Sequence, residues 1–212
     1  KRKIISADRQ IVLPGAGINL ERYKMQPYPK HTRIHFLYLG RIMKEKGIDE
    51  LFYSVRRLKK ENENFVLDLV GFFEDEYKEQ VKELEKCDIA HFYGFQPDPR
   101  PFYIEADCVV LPSYHEGMSN VLLEAAATGR PVITSNIPGC RESVENGKSG
   151  LLVEVKNKEM LYDAMKEMLH CSREEREQMG QTGREKMERE FRKDVVVEKT
   201  VQSLREDEKR DF

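Results

Sequence analysis

From Ile34 onward the chain alternates short β-rich runs with longer amphipathic ones, and that alternation limits it more than any other feature. The pattern predicts an α/β fold, a doubly wound parallel sheet with helices on both faces. The expected strands are Ile34–Leu39, Phe65–Val70, Ile89–Tyr93, Cys108–Leu111, Pro131–Thr134 and Gly150–Val153. Helices are expected at Ile48–Lys60, Tyr77–Cys87, Pro101–Ala106 and Asn120–Thr128, with a short one near Arg141–Glu145. In the first helix Ile48, Leu51, Phe52, Val55 and Leu58 form one apolar stripe, and Lys and Arg occupy the other face. After Val153 the pattern turns helical throughout, over Lys158–Leu169, Arg173–Phe191 and Asp194–Arg205. The last two are rich in Glu, Lys and Arg and read as solvated helices packed outside the sheet.

The expected division is a lead-in over 1–33, a Rossmann-like domain over 34–193 and a terminal helix over 194–212. The lead-in carries Pro14, Gly15-Ala16-Gly17, Pro27 and Pro29, which predict irregular structure with one short strand at Ile11–Leu13. It opens Lys1-Arg2-Lys3 without a methionine or an apolar signal core, which reads as an internal start.

Lys and Arg number 36 against 38 Asp and Glu, a net charge of -2, so no bulk field draws nucleic acid and any anion must be held by a local arrangement of cations and amides. Cys87, Cys108, Cys140 and Cys171 form no zinc or disulfide pattern, and a reducing, cytoplasmic setting is the expectation. No apolar run approaches the roughly 18 residues of a membrane span.

In an open α/β sheet ligands bind beyond the carboxyl ends of the strands, so polar residues just after them are the candidates. Gly40 to Gly47 follows the first strand, and Arg41 and Lys46 bracket a loop leading into a helix, where two cations and a helix start could meet a diphosphate. A solvated basic turn fits the same residues. Ser113 to Asn120 lies between a strand and the helical run Val121 to Ala127, and the Gly117–Asn120 turn leaves the first helical amides free for an anion. Glu116 at the mouth and Glu124 one turn inside could accept from sugar hydroxyls. Glu124 could be an ordinary surface helix residue, but its neighbours Val121, Leu122, Leu123 and Ala125 are apolar and point to partial burial, and buried carboxylates need partners. Gly94-Phe95-Gln96 follows another strand and could receive a base, or Phe95 could be an ordinary edge aromatic.

Glu116 and Glu124, inside Pro-Ser-Tyr-His-Glu-Gly-Met-Ser-Asn-Val-Leu-Leu-Glu-Ala, resemble the E-x7-E signature of retaining GT-B glycosyltransferases of the glycosyl-transferases group 1 family. Gly40-Arg41 with Lys46-Gly47 is similar to that family's diphosphate loop, Gly129 to Ile133 to the strand after its motif helix, and Pro138 to Glu142 to the next loop. Val12 to Asn19 is similar to the segment after the interdomain linker, so the likeness runs from about residue 11 to about residue 200.

The resemblance implies the C-terminal, donor-binding half of a GT-B fold, with extra C-terminal helices. It implies a UDP- or GDP-linked sugar donor, no metal, and a saccharide or lipid-linked acceptor brought by a missing amino-terminal domain to which the terminal helix crosses. The full-length protein would then be cytoplasmic or peripheral at the inner membrane face. Arg41 and Lys46 would neutralise the diphosphate together with the amides of Ser119, Asn120 and Val121. Glu124 would bind ribose, Glu116 with the amides of Gly117 and Met118 the donor sugar, and backbone near Phe95 and Gln96 the base. Gly71-Phe72-Phe73 departs from the Gly-x-Gly of many relatives. The competing readings are a GT-B-shaped nucleotide-sugar epimerase and a nucleotide-sugar-binding or interaction module without turnover.

Overall fold

A computed structural model describes residues 15–208. Six parallel strands form one sheet: β1 (Ile34–Leu39), β2 (Phe65–Val70), β3 (Ala90–Phe92), β4 (Cys108–Leu111), β5 (Val132–Ser135) and β6 (Gly150–Val153). Their spatial order is β3-β2-β1-β4-β5-β6, so the chain winds outward from β1 to one edge, returns, and winds out to the other. The reversal falls between β1 and β4, the switch point at which doubly wound sheets bind ligands.

The crossover helices are α1 (Ile48–Lys60), α2 (Lys78–Lys86), α3 (Arg100–Glu105) and α4 (Asn120–Ala127), followed by α5 (Lys158–His170), α6 (Arg173–Lys186) and α7 (Lys193–Glu208). Helix α1 turns Ile48, Leu51, Phe52, Val55 and Leu58 into the core and packs against α5. Phe52 meets Tyr77 at the start of α2 edge to face, which places α2 on that layer too. On the other layer Tyr103 of α3 reaches α4, and α4 packs against α6. Strand β2 is buried along its whole length, as expected of a strand covered on both faces. No described helix is long and apolar enough to cross a membrane.

Several expected bounds shift. The third strand contracts to Ala90–Phe92 at the sheet edge, where Tyr93 still donates to the Leu69 carbonyl. Strand β5 starts after Pro131, which has no N–H to give the ladder but whose carbonyl accepts from Val109. The short helix near Arg141 is a 3-10 turn, Arg141–Ser143. The helix expected over Arg173–Phe191 stops at Lys186 and continues as a π-turn, Met187–Phe191. That wider turn buries both Met187 and Phe191 and lets the Phe191 carbonyl accept from Ile18 of the lead-in. The strand expected at Ile11–Leu13 lies outside the described residues.

Arg130 is fully buried, and among the described residues no carboxylate pairs with it. Its guanidinium instead donates to five carbonyls, those of Gln26, Pro27, Tyr103, Ile104 and Gly129, at 2.9–3.4 Å. Burial lowers its pKa, and the fork of donors matches the ring of acceptors in a way an ammonium cannot. Arg130→Lys therefore leaves buried carbonyls unpaired and lowers stability by about 3 kcal/mol, read as a fall in urea midpoint at unchanged slope.

His35 of β1 donates from Nδ1 to Asp68 Oδ2 of β2 at 2.8 Å, and His31, Asp107, His91 and Tyr93 surround the pair. The hydrogen bond to Asp68 raises the His35 pKa, burial opposes this, and the charges of Asp68 and Asp107 reinforce it. A raised folded pKa stabilises the protein fully below the unfolded value near 6.5, and that stabilisation disappears as pH rises through the folded value. Melting temperature measured from pH 5.5 to pH 8.5 therefore falls more for wild type than for His35→Asn; parallel curves would remove His35 from this role.

Candidate functional site

The carboxyl ends of β1 and β4 carry the two loops singled out above. After β1 the chain turns at Gly40 and runs through Arg41 to a 3-10 turn, Lys44–Lys46. Gly47 closes that turn at φ 73°, and a side chain there would strike the Pro112 carbonyl at 2.1 Å. The two loops are thus packed backbone to backbone. Buried Tyr38 fixes the first loop from below, its hydroxyl donating to the Arg41 carbonyl. Burial, then the nearby Glu116 charge, pushes the Tyr38 phenol well above its usual range, so it stays a donor.

The second loop is held by the backbone at Gly139. Its φ is 88°, and a Cβ would lie 1.4 Å from the Gly117 carbonyl oxygen. Gly139 accepts from the Ser119 amide at 3.0 Å. This corrects one expectation: the Ser119 N–H is already used within the chain and is not offered to a ligand. Ser119 gives α4 no side-chain cap, so the first-turn amides of Asn120 and Val121 remain at the helix start.

Arg41, Lys46, Glu116, Met118, Asn120 and Val121 line one hollow of about 280 Å³, with Ser119 also in its wall. Lys46 Nζ lies 2.6 Å from Glu116 Oε1, with each side chain about 15% exposed. The expectation that Lys46 serves a diphosphate and Glu116 a sugar thus meets a site in which the two are ion-paired to each other. Arg41 is half exposed and forms a forked pair with Glu74 at 2.9 and 3.1 Å. A second hollow of about 650 Å³ shares Glu116 and Met118, and passes Gly117 and Gly139 toward Lys186 and Phe191.

Glu124 does not line the first hollow. It sits one turn beyond Asn120 and Val121 on the same side of α4, half-buried, with Oε2 accepting from the Tyr103 hydroxyl at 2.9 Å. Burial raises its carboxyl pKa, and hydrogen bonds from Tyr23 and Tyr103 oppose the rise. Burial and the same carboxylate push Tyr23 up to about 12. Phe95 and Gln96 stand apart from the hollow, beyond β3. Phe95 is 68% exposed and meets the exposed Phe72 edge to face at 6.5 Å, while the Gln96 amide donates to the Tyr93 carbonyl. Phe72 is joined to the Arg41–Lys46 loop through its carbonyl, which accepts from Ile42.

Sequence reasoning missed the partners that hold the acids. Ser113 Oγ donates to Glu116 Oε1 at 2.8 Å, and its only trace in the sequence is a small hydroxyl three residues before the carboxylate. Tyr23 lies about a hundred residues before Glu124 in the chain and Tyr103 lies 21 before it, a proximity no local pattern encodes.

Comparison with known proteins bears on what such a site serves. Residues 21–186 match the family model described as glycosyl transferases group 1. The chain is 28% identical over 193 residues to the capsular polysaccharide biosynthesis glycosyltransferase CapM of Staphylococcus aureus, covering 86% of this chain and 50% of that protein. Sucrose-phosphate synthase of Thermosynechococcus elongatus superposes with a TM-score of 0.76 at 26% identity, over 90% of this chain and 51% of that one. The C-terminal domain of LpcC, a glycosyl transferase group 1 family protein of Francisella tularensis, superposes with a TM-score of 0.68 at 24% identity, over 83% of this chain and 99% of that one. The chain spans about half the length of the curated relatives it matches. With a family model covering most of the chain and the strand order of the GT-B fold beneath it, this protein belongs to the glycosyl transferases group 1 family.

Proposed function

We propose that the chain is the donor-binding half of a retaining glycosyltransferase that moves a sugar from a UDP- or GDP-linked donor to a saccharide or lipid-linked saccharide. The observation that carries this reading is the single hollow at the β1/β4 switch point, walled by Arg41, Lys46, Glu116 and the start of α4. A diphosphate there gains two cations and the amides of Asn120 and Val121. The leaving diphosphate takes up negative charge as the bond to the sugar breaks, so fixed positive groups favour the transition state over the bound donor. Two cations and a helix start supply the charge that a divalent metal supplies elsewhere.

The donor sugar extends from the first hollow toward the second, past Glu116 and the amides of Gly117 and Met118. Glu124 reaches the ribose with the carboxylate acceptor sites its tyrosines leave open, and the base lies toward Phe95 and Gln96. The acceptor arrives on a preceding domain, and attack on the face the diphosphate leaves retains the anomeric configuration. The relatives' activities support transfer as the reaction class: CapM is named for capsular polysaccharide biosynthesis.

In the longer parent protein, Arg41→Ala and Glu124→Ala should each lower kcat/KM roughly tenfold or more, with melting temperature within a degree or two of wild type for the exposed Arg41. A variant with full activity removes that residue from the site. Calorimetry of this chain with UDP and GDP should show weak binding that falls with salt and is the same with magnesium or with EDTA; a strict magnesium requirement would overturn the metal-free scheme.

A further inference from the structure

The two donors on Glu116 fall on the same oxygen. Lys46 Nζ and Ser113 Oγ lie 2.6 and 2.8 Å from Oε1, and among the described residues no donor lies on Oε2. Ser113 is fully buried at the carboxyl end of β4, with a backbone set by the packing of Pro112 against Gly47. Its hydroxyl therefore has little freedom to choose another partner. Lys46 alone would leave the carboxylate free to rotate about its own axis and offer the ammonium either oxygen. A second donor, coming from another strand end than the lysine, fixes which oxygen is used.

We propose that Ser113 is a positioning residue: with Lys46 it anchors Oε1 of Glu116, so that Oε2 is presented, in one orientation, to a hydroxyl of the donor's sugar. This inference rests on the donor-site reading above and goes beyond it by assigning the two oxygens of one carboxylate to different tasks. It also gives Lys46 a continuing partner. When a diphosphate enters the hollow, the ammonium has further protons for phosphate oxygens, and Ser113 keeps the carboxylate aligned while the lysine is shared. Removing the serine hydroxyl should therefore be felt by the sugar and not by the nucleotide.

The test is calorimetry of this chain with UDP against UDP-glucose and GDP against GDP-mannose, for wild type, Ser113→Ala, Glu116→Gln and the double variant. For the nucleotide that binds, Ser113→Ala should leave the nucleoside diphosphate affinity within about twofold and weaken the nucleotide sugar about tenfold, the size of a hydrogen bond to a charged group. In the Glu116→Gln background the same substitution should cost the sugar nothing further, because the serine acts only through that carboxylate. Ser113→Thr, which keeps the hydroxyl, should recover the affinity for the nucleotide sugar. Equal weakening of diphosphate and nucleotide sugar, additive losses in the double variant, or a folded threonine variant no better than alanine would each overturn the assignment. A wild type that binds diphosphate but gains nothing from the sugar overturns it as well and leaves the nucleotide site standing. A wild type that binds neither nucleotide sinks the donor-site reading itself.

Discussion

Crossovers that leave a central pair of parallel strands in opposite directions open a gap at their carboxyl ends, and this chain places the two loops of its candidate site around it. Because β1 and β4 are neighbours while their following helices lie on opposite layers, the Arg41–Lys46 loop and the Glu116–Asn120 loop diverge from adjacent strand ends and face each other. The gap is kept open by backbone rather than by bulk. Gly47 rests on the Pro112 carbonyl, Gly71 on Gly40 and Gly139 on Gly117, each at a distance that excludes any side chain. The polar groups are thus mounted on segments that cannot approach further.

Charge is distributed over this frame in pairs. Lys46 faces Glu116, Arg41 faces Glu74, and Glu124 is covered by tyrosine hydroxyls. The partners differ in how firmly they are held. Lys46 and Glu116 are mostly shielded from water, where an attraction is strong but leaving either group alone is costly. Arg41 and Glu74 are exposed enough for solvent to weaken their pair. On the proposed donor reading, an entering diphosphate would meet one cation that is readily redirected, Arg41, and one that must be shared, Lys46.

The strands and helices that line the site were legible in the sequence because burial on two faces produces apolar runs, broken in β1 and β2 only by the mutually paired His35 and Asp68. Ile34–Leu39, Phe65–Val70, Cys108–Leu111 and Gly150–Val153 fall where the pattern puts them, as does α1 with its apolar stripe. The loops were legible only as candidates, since a solvated basic turn fitted Arg41 and Lys46 equally well, and it is the fold that brings Arg41, Lys46 and Glu116 to one hollow. What the sequence withheld depends on contacts between distant segments. The π-turn at Met187–Phe191 answers to Ile18, the engagement of the Ser119 amide answers to Gly139, and the setting of Glu124 answers to Tyr23 and Tyr103. A one-dimensional pattern shows which residues can donate or accept, and the fold decides which of them already have.

Arg130 has a mechanical meaning. By gripping the carbonyls of Gln26 and Pro27 together with those of Tyr103 and Ile104, it bolts the incoming polypeptide to the base of α3 and the root of β5. The Gln26–Pro27 stretch is thereby clamped onto the layer of helices that carries Glu124, a fixed anchorage and not a slack tether.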